Sequence, residues 1–89
     1  MKAQIYNYQI WINETNPEIL KYKLEEYLHE SGFGVLNCIE HYFEPFGYTA
    51  LWLLSESHLA VHTFPEEGQS YLELSSCVEK PFKNFLKLI

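Results

Sequence analysis

The chain has 89 residues, a formal charge of −6, only two cysteines, and seven Tyr, six Phe and two Trp. That length suits a single small domain spanning residues 1–89, and so many rings let a short chain bury a useful core. The acidic balance argues against a nucleic-acid surface, which needs clustered Lys and Arg, and no apolar run is long enough to span a membrane as a helix. No secretory leader is recognisable, so Cys38 and Cys77 are expected to be reduced thiols of a cytoplasmic protein.

In chain order, Gln4–Asn13 alternates in part and reads as a first strand. Asn16 then has the character of a helix N-cap, with Pro17 at the first helical position and Glu18 in the first turn. The helix is expected to run to Ser31 and stop at Gly32. Its apolar stripe is Ile19, Leu20, Leu24, Tyr27 and Leu28, with Lys21, Lys23, Glu25 and Glu26 facing solvent. Val35–Glu44 is a second strand and Pro45–Gly47 a turn. Tyr48–Leu54 is almost wholly apolar and reads as a central strand. Leu59–Phe64 and Ser70–Val78 are further strands around a turn at Pro65–Gln69, and Lys80–Leu88 is a terminal helix. Short connections make neighbouring strands antiparallel. The expected fold class is α+β, an antiparallel sheet with helices packed on one face as a two-layer sandwich.

The chemistry concentrates in Ser55–Cys77, SESHLAVHTFPEEGQSYLELSSC. Ser57 offers a hydroxyl nucleophile, His62 a base or acid, and Cys77 a thiol, which together are the parts of a covalent mechanism. Taken singly, Ser57 would be a turn serine, Cys77 a core thiol, and Phe43 and Phe64 core aromatics. His58 and His62 have a spacing that aligns two rings on a helix but not on a strand, so no metal site is expected. Ser57 and His62 are five residues apart, which on a regular strand sets them on opposite faces. If they act together, the chain must bend or bulge near Ser55–His58, and regular pairing is expected to break there.

The run ESHLAVHTFPE, Glu56 to Glu66, resembles the signature of the S-adenosylmethionine decarboxylases of the bacterial and archaeal type. His41–His58, HYFEPFGYTALWLLSESH, is similar to that family's approach strand and hairpin, and the likeness extends to Cys77. The resemblance implies a proenzyme that cuts itself between Glu56 and Ser57, into residues 1–56 and 57–89. The Ser57 hydroxyl attacks the Glu56 carbonyl, the amide becomes an ester, and elimination leaves dehydroalanine. Loss of ammonia then leaves a pyruvoyl group, a ketone that forms a Schiff base with a substrate amine and takes up electrons as carboxylate leaves. By the same resemblance His62 carries a proton in processing, Thr49 helps the ester step, and Cys77 reprotonates the product carbon. Phe43 and Phe64 match the pair that sandwiches adenine, and Glu66 matches the carboxylate that holds the ribose hydroxyls.

The chain departs from the family pattern in several places. The first strand lacks a Gly-x-His start, Phe64 replaces a commoner tryptophan, Glu73 stands where aspartate is usual, and Val78 follows the cysteine in place of glycine. Relatives also continue with more strand and helix beyond the point at which this sequence ends. The function implied is decarboxylation of S-adenosylmethionine for spermidine synthesis, and a homodimer or larger assembly is expected from size, because two helices this short cannot cover so aromatic a five-stranded sheet. Two alternatives stay open at this stage. One is the same chemistry on arginine or ornithine, and the other is an uncleaved paralogue that binds a nucleoside or a partner subunit.

Overall fold

The computed structural model describes residues 3–89. In chain order it contains β1 (Tyr6–Ile12), α1 (Pro17–Ser31), β2 (Val35–Tyr42), β3 (Tyr48–Leu54), β4 (Ser57–Phe64), a short 3-10 turn at Pro65–Glu67, β5 (Gln69–Ser76) and α2 (Glu79–Leu88). The strands form one sheet in the order β1-β5-β4-β3-β2. Every neighbouring pair is antiparallel. β1 and β2 are therefore the two edges, joined by α1.

The helix limits follow local chemistry. The Ile19 N–H donates to the Asn16 side chain at 3.1 Å, and Pro17 opens the first turn, where its missing N–H costs nothing. Gly32 closes α1 at φ 99°, a left-handed conformation that a β-carbon disfavours. Both helices cover the same face. Leu20, Leu24 and Leu28 of α1 and Phe82 and Phe85 of α2 pack on Trp52, Leu59, Val61, Leu72 and Leu74 of the central strands. These strand residues alternate with outward ones, as period-2 geometry requires. This is the expected two-layer α+β arrangement.

Among the described residues no helix covers the other face. It exposes Trp11 (52%), Ile39 (65%), Leu51 (44%) and Leu53 (54%).

Three local expectations are corrected. Lys21 and Glu25 do not face solvent freely. Lys21 Nζ donates to Glu40 on β2 at 2.8 Å, and the buried indole of Trp52 donates to Glu25 at 3.0 Å. Long side chains at the helix margin bend to the sheet because Trp52 and Tyr48, whose hydroxyl donates to Glu40 at 2.6 Å, bring polar atoms that need partners. Ile19, placed in the apolar stripe, is largely exposed; the buried line is Leu20, Leu24, Leu28 and Ser31. The break in pairing foreseen near Ser55–His58 is absent. β4 starts at Ser57 in regular register with Leu54 and Ser76, and the bulge lies instead between Val35 and Asn37 on β2.

Candidate active site

Regular pairing on β4 decides the site. Ser57 pairs with Ser76 and Leu54, both buried on the helix-covered side. His62 pairs with Thr49 and Tyr71 and so lies on the open face. Five residues of strand also separate the two by about 16 Å. The candidate residues thus fall into two groups at opposite ends of β4.

The first group surrounds the Ser55–Glu56 turn between β3 and β4. Glu56 has φ 59°, the left-handed region, and is the one described non-glycine residue there. For a side chain with a β-carbon this costs about 1–2 kcal/mol. The Glu56 carbonyl oxygen accepts a hydrogen bond from the Cys77 backbone N–H at 3.0 Å. Ser57 Oγ donates to Ser76 Oγ at 2.7 Å. A cleft of about 370 Å³ opens here, lined by Leu53, Glu56, Ser57, His58, Ser75 and Cys77 among others. Cys77 is exposed and unbridged.

The second group sits at the other end of β4. Thr49 Oγ1 and His62 Nδ1 are hydrogen-bonded at 3.0 Å. When Nδ1 is the unprotonated nitrogen the hydroxyl donates, which leaves Nε2 bearing the proton. Phe43, Phe64 and Glu66 share a cleft of about 340 Å³ with Thr49 and His62. Pro65 turns the chain directly after β4, and this brings Glu66 to the cleft rim. Phe43 is fixed by the hairpin in which its N–H donates to the Gly47 carbonyl at 2.9 Å. Gly47 has φ 115°, and an added β-carbon would lie 3.5 Å from the Phe43 side chain.

The structure therefore gathers Glu56, Ser57 and Cys77 at one end and Phe43, Thr49, His62, Phe64 and Glu66 at the other. His58 and His62 share the open face, but four residues of strand hold them about 13 Å apart, too far to ligate one ion.

Sequence reasoning missed three neighbours of the site. Trp11 packs against Phe64 at 5.6 Å and Tyr71 at 5.3 Å between ring centroids, and Tyr71 stacks with His62 at 6.4 Å. The Tyr71 hydroxyl donates to Glu73 at 2.7 Å, and that bond to a carboxylate pushes its pKa up. Ser76 is the third. Trp11 and Phe64 are far apart in sequence, so only the β1–β5–β4 neighbourhood could reveal their contact. Ser76 carried a faint signal as the hydroxyl next to Cys77. His41 faces the same side opposite Thr49 and packs edge-on against Phe43 at 4.4 Å.

Comparison with known proteins bears on this arrangement. The fold is similar to the crystal structure of the adenosylmethionine decarboxylase from Aquifex aeolicus, with a TM-score of 0.76, 17% identity, and coverage of 99% of this chain and 82% of that one. The S-adenosylmethionine decarboxylase proenzyme of Thermotoga maritima is 33% identical over 72 residues, which is 79% of this chain and 55% of that protein. The S-adenosylmethionine decarboxylase proenzyme 2 of Bacillus cereus is 43% identical over 58 residues, 65% of this chain and 47% of that protein. The chain thus spans about half the length of these curated relatives. Residues 12–89 match the family model for S-adenosylmethionine decarboxylase, and the chain belongs to that family.

Proposed function

We propose that this chain is a self-processing, pyruvoyl-dependent decarboxylase of S-adenosylmethionine that supplies spermidine synthesis and acts as a two-fold pair. The observation that carries the reading is the state of the Glu56–Ser57 peptide. Its carbonyl oxygen accepts from the Cys77 N–H, the residue before it is held left-handed, and the residue after it presents a hydroxyl. A donor on the carbonyl oxygen favours the negative charge that develops there under attack. Strain in Glu56 is relieved if the peptide opens.

These residues fit the formation of a pyruvoyl group. Ser57 Oγ bonds to the Glu56 carbonyl carbon, the C–N bond breaks, and the hydroxyl proton passes to the freed nitrogen. Removal of the Ser57 α-proton breaks the Cβ–Oγ bond and releases Glu56 as a carboxylate. Water then replaces the nitrogen, which leaves as ammonia. A ketone held at residue 57 would supply an electrophile for a substrate amine and an electron sink for decarboxylation. His62 is the proton carrier in processing, with its Nδ1 engaged by Thr49. Cys77 is the proton donor in turnover.

For substrate, the Phe43, Phe64 and Glu66 cleft suits a nucleoside better than a bare amino acid. Two rings can stack on a base, and the carboxylate can accept from ribose hydroxyls.

The pairing proposal rests on the separation of the two groups. His62 lies on the open, apolar face, and the Glu56–Ser57 turn borders that face at the far end of β4, with the Ser57 side chain on the helix-covered side. Packed sheets stand about 10 Å apart. A two-fold axis through the middle of that face would set the Glu56–Ser57 end of one chain over the His62 end of the other. That brings a partner's His62 nearer to the Glu56–Ser57 turn than the separation of about 16 Å along one strand allows. The two unbridged thiols suit a reducing compartment such as the cytoplasm.

Intact-mass measurement of the purified protein tests the reading. Two pieces, residues 1–56 and 57–89, are expected, the second lighter than its serine-started form by the mass of one ammonia, because the oxygen that leaves with the Glu56 carboxylate is regained from water as the ketone. A chain that stays whole on long incubation overturns it.

A further inference from the structure

We infer that Ser76 is a positioning residue for self-cleavage, holding the Ser57 hydroxyl in the orientation from which it attacks Glu56; this rests on the cleavage reading above. Ser76 is 1% exposed and directly opposite Ser57 across the β4–β5 ladder. Its hydroxyl makes three contacts. It donates to the Val78 carbonyl at 3.1 Å, accepts from the Val78 N–H at 3.0 Å, and accepts from Ser57 Oγ at 2.7 Å.

A serine hydroxyl has one proton and two lone pairs. With its proton engaged by Val78 and one lone pair by the Val78 N–H, Ser76 has one acceptor site left, and Ser57 fills it. Toward Ser57 it therefore acts only as an acceptor. That choice fixes the Ser57 side-chain rotamer and points the Ser57 proton at Ser76. Among the described residues no donor is bonded to Ser57 Oγ, so its lone pairs are free for the carbonyl carbon. Ser76 takes up no proton in the step. When the Oγ–C bond forms and the C–N bond of the Glu56–Ser57 peptide breaks, the Ser57 proton ends on the freed nitrogen.

The placement also couples the two sides of the peptide. Ser76 anchors Val78, and between them Cys77 presents its N–H to the Glu56 oxygen. One buried hydroxyl thus sets both the nucleophile and the turn that carries the carbonyl's donor. Fixing a reacting atom in this way is the contribution expected of a positioning group.

The test compares full-length wild type with Ser76→Ala, Ser76→Thr and Ser76→Val, followed by gel mobility after a pulse of cell-free synthesis, with thermal melting of each in a Ser57→Ala background. Ser76→Ala is expected to cleave at least tenfold more slowly than wild type, and Ser76→Thr within about threefold of it. Thr and Val have nearly the same shape, so their difference reads the hydroxyl alone even if Ser76→Ala fails to fold. Ser76→Val should cleave at least tenfold more slowly than Ser76→Thr at similar melting temperature. Equal rates for Thr and Val, or a wild-type rate for Ser76→Ala, overturn the proposal. Failure of wild type itself to cleave would instead overturn the cleavage reading.

Discussion

Ser57 and His62 lie on one strand and face opposite sides of the sheet. Ser57 is hydrogen-bonded to Ser76 under the helices, and His62 to Thr49 on the open face. Nothing in β4 bends to reconcile them, since its pairing with β3 and β5 is continuous from Ser57 onward.

The first prediction follows from that separation. A Ser57→Ala chain and a His62→Ala chain, each expected to stay uncut alone, should complement when co-expressed. Only the His62→Ala chain should be cleaved, because it keeps Ser57 and borrows His62 from its partner. Gel mobility with differently tagged chains reads the result. Cleavage of a His62→Ala chain alone at the wild-type rate would show that His62 is not needed.

Cys77 should separate its backbone from its side chain. The N–H that meets the Glu56 carbonyl belongs to the backbone and survives Cys77→Ala. This variant should still cleave within about threefold of wild type, while turnover falls about 10²–10⁴-fold for want of a placed proton donor. Labelled carbon dioxide release, normalised to cleaved protein, measures it. Unchanged release would leave Cys77 without a catalytic role.

The aromatic wall gives an optical test. Trp52 is fully buried and Trp11 is half exposed beside Phe64. Binding of a non-reacting adenine nucleoside should therefore change emission from Trp11, and Trp11→Phe should abolish the change. Phe64→Ala should weaken binding about tenfold, about 1.4 kcal/mol, from the loss of one stacking surface. An emission change that persists in Trp11→Phe would place the ligand elsewhere.

Glu40 should make stability depend on acid. The Lys21 ammonium, and then the Tyr48 hydroxyl, hold its carboxyl below the ordinary 4.5. A carboxyl depressed in the folded state stabilises above its unfolded pKa, and this is lost as pH falls through the lower, folded value. Unfolding free energy should fall more steeply below about pH 4.5 in wild type than in Glu40→Gln. The difference should shrink in 1 M salt, because Glu40 and Lys21 are both partly solvated. Tyr48 is affected in the opposite sense, its pKa pushed up by burial first and by Glu40 second. Parallel acid-unfolding curves for the two proteins would mean that the ion pair contributes nothing.

Much of this was determined by sequence alone, and for a local reason. Asn16, Pro17 and Gly32 set the ends of α1 through hydrogen bonds and φ preferences that reach only a few residues. The apolar run Tyr48–Leu54 marked a strand, and the five-residue step from Ser57 to His62 put them on opposite faces, because strand parity needs no tertiary information. The expected bulge is absent because β4 pairs in regular register from Ser57 onward, a choice made by its neighbours β3 and β5. Only tertiary structure decided which strands are neighbours. Setting β1 beside β5 brought Trp11 to Tyr71 and Phe64, and setting β4 beside β5 put Ser76 under Ser57. It also turned Lys21 and Glu25 from a solvent face toward Glu40 and Trp52. Such contacts join residues up to some sixty positions apart, and they arise from burying the helix-covered face of the whole sheet at once, which no local window of sequence contains.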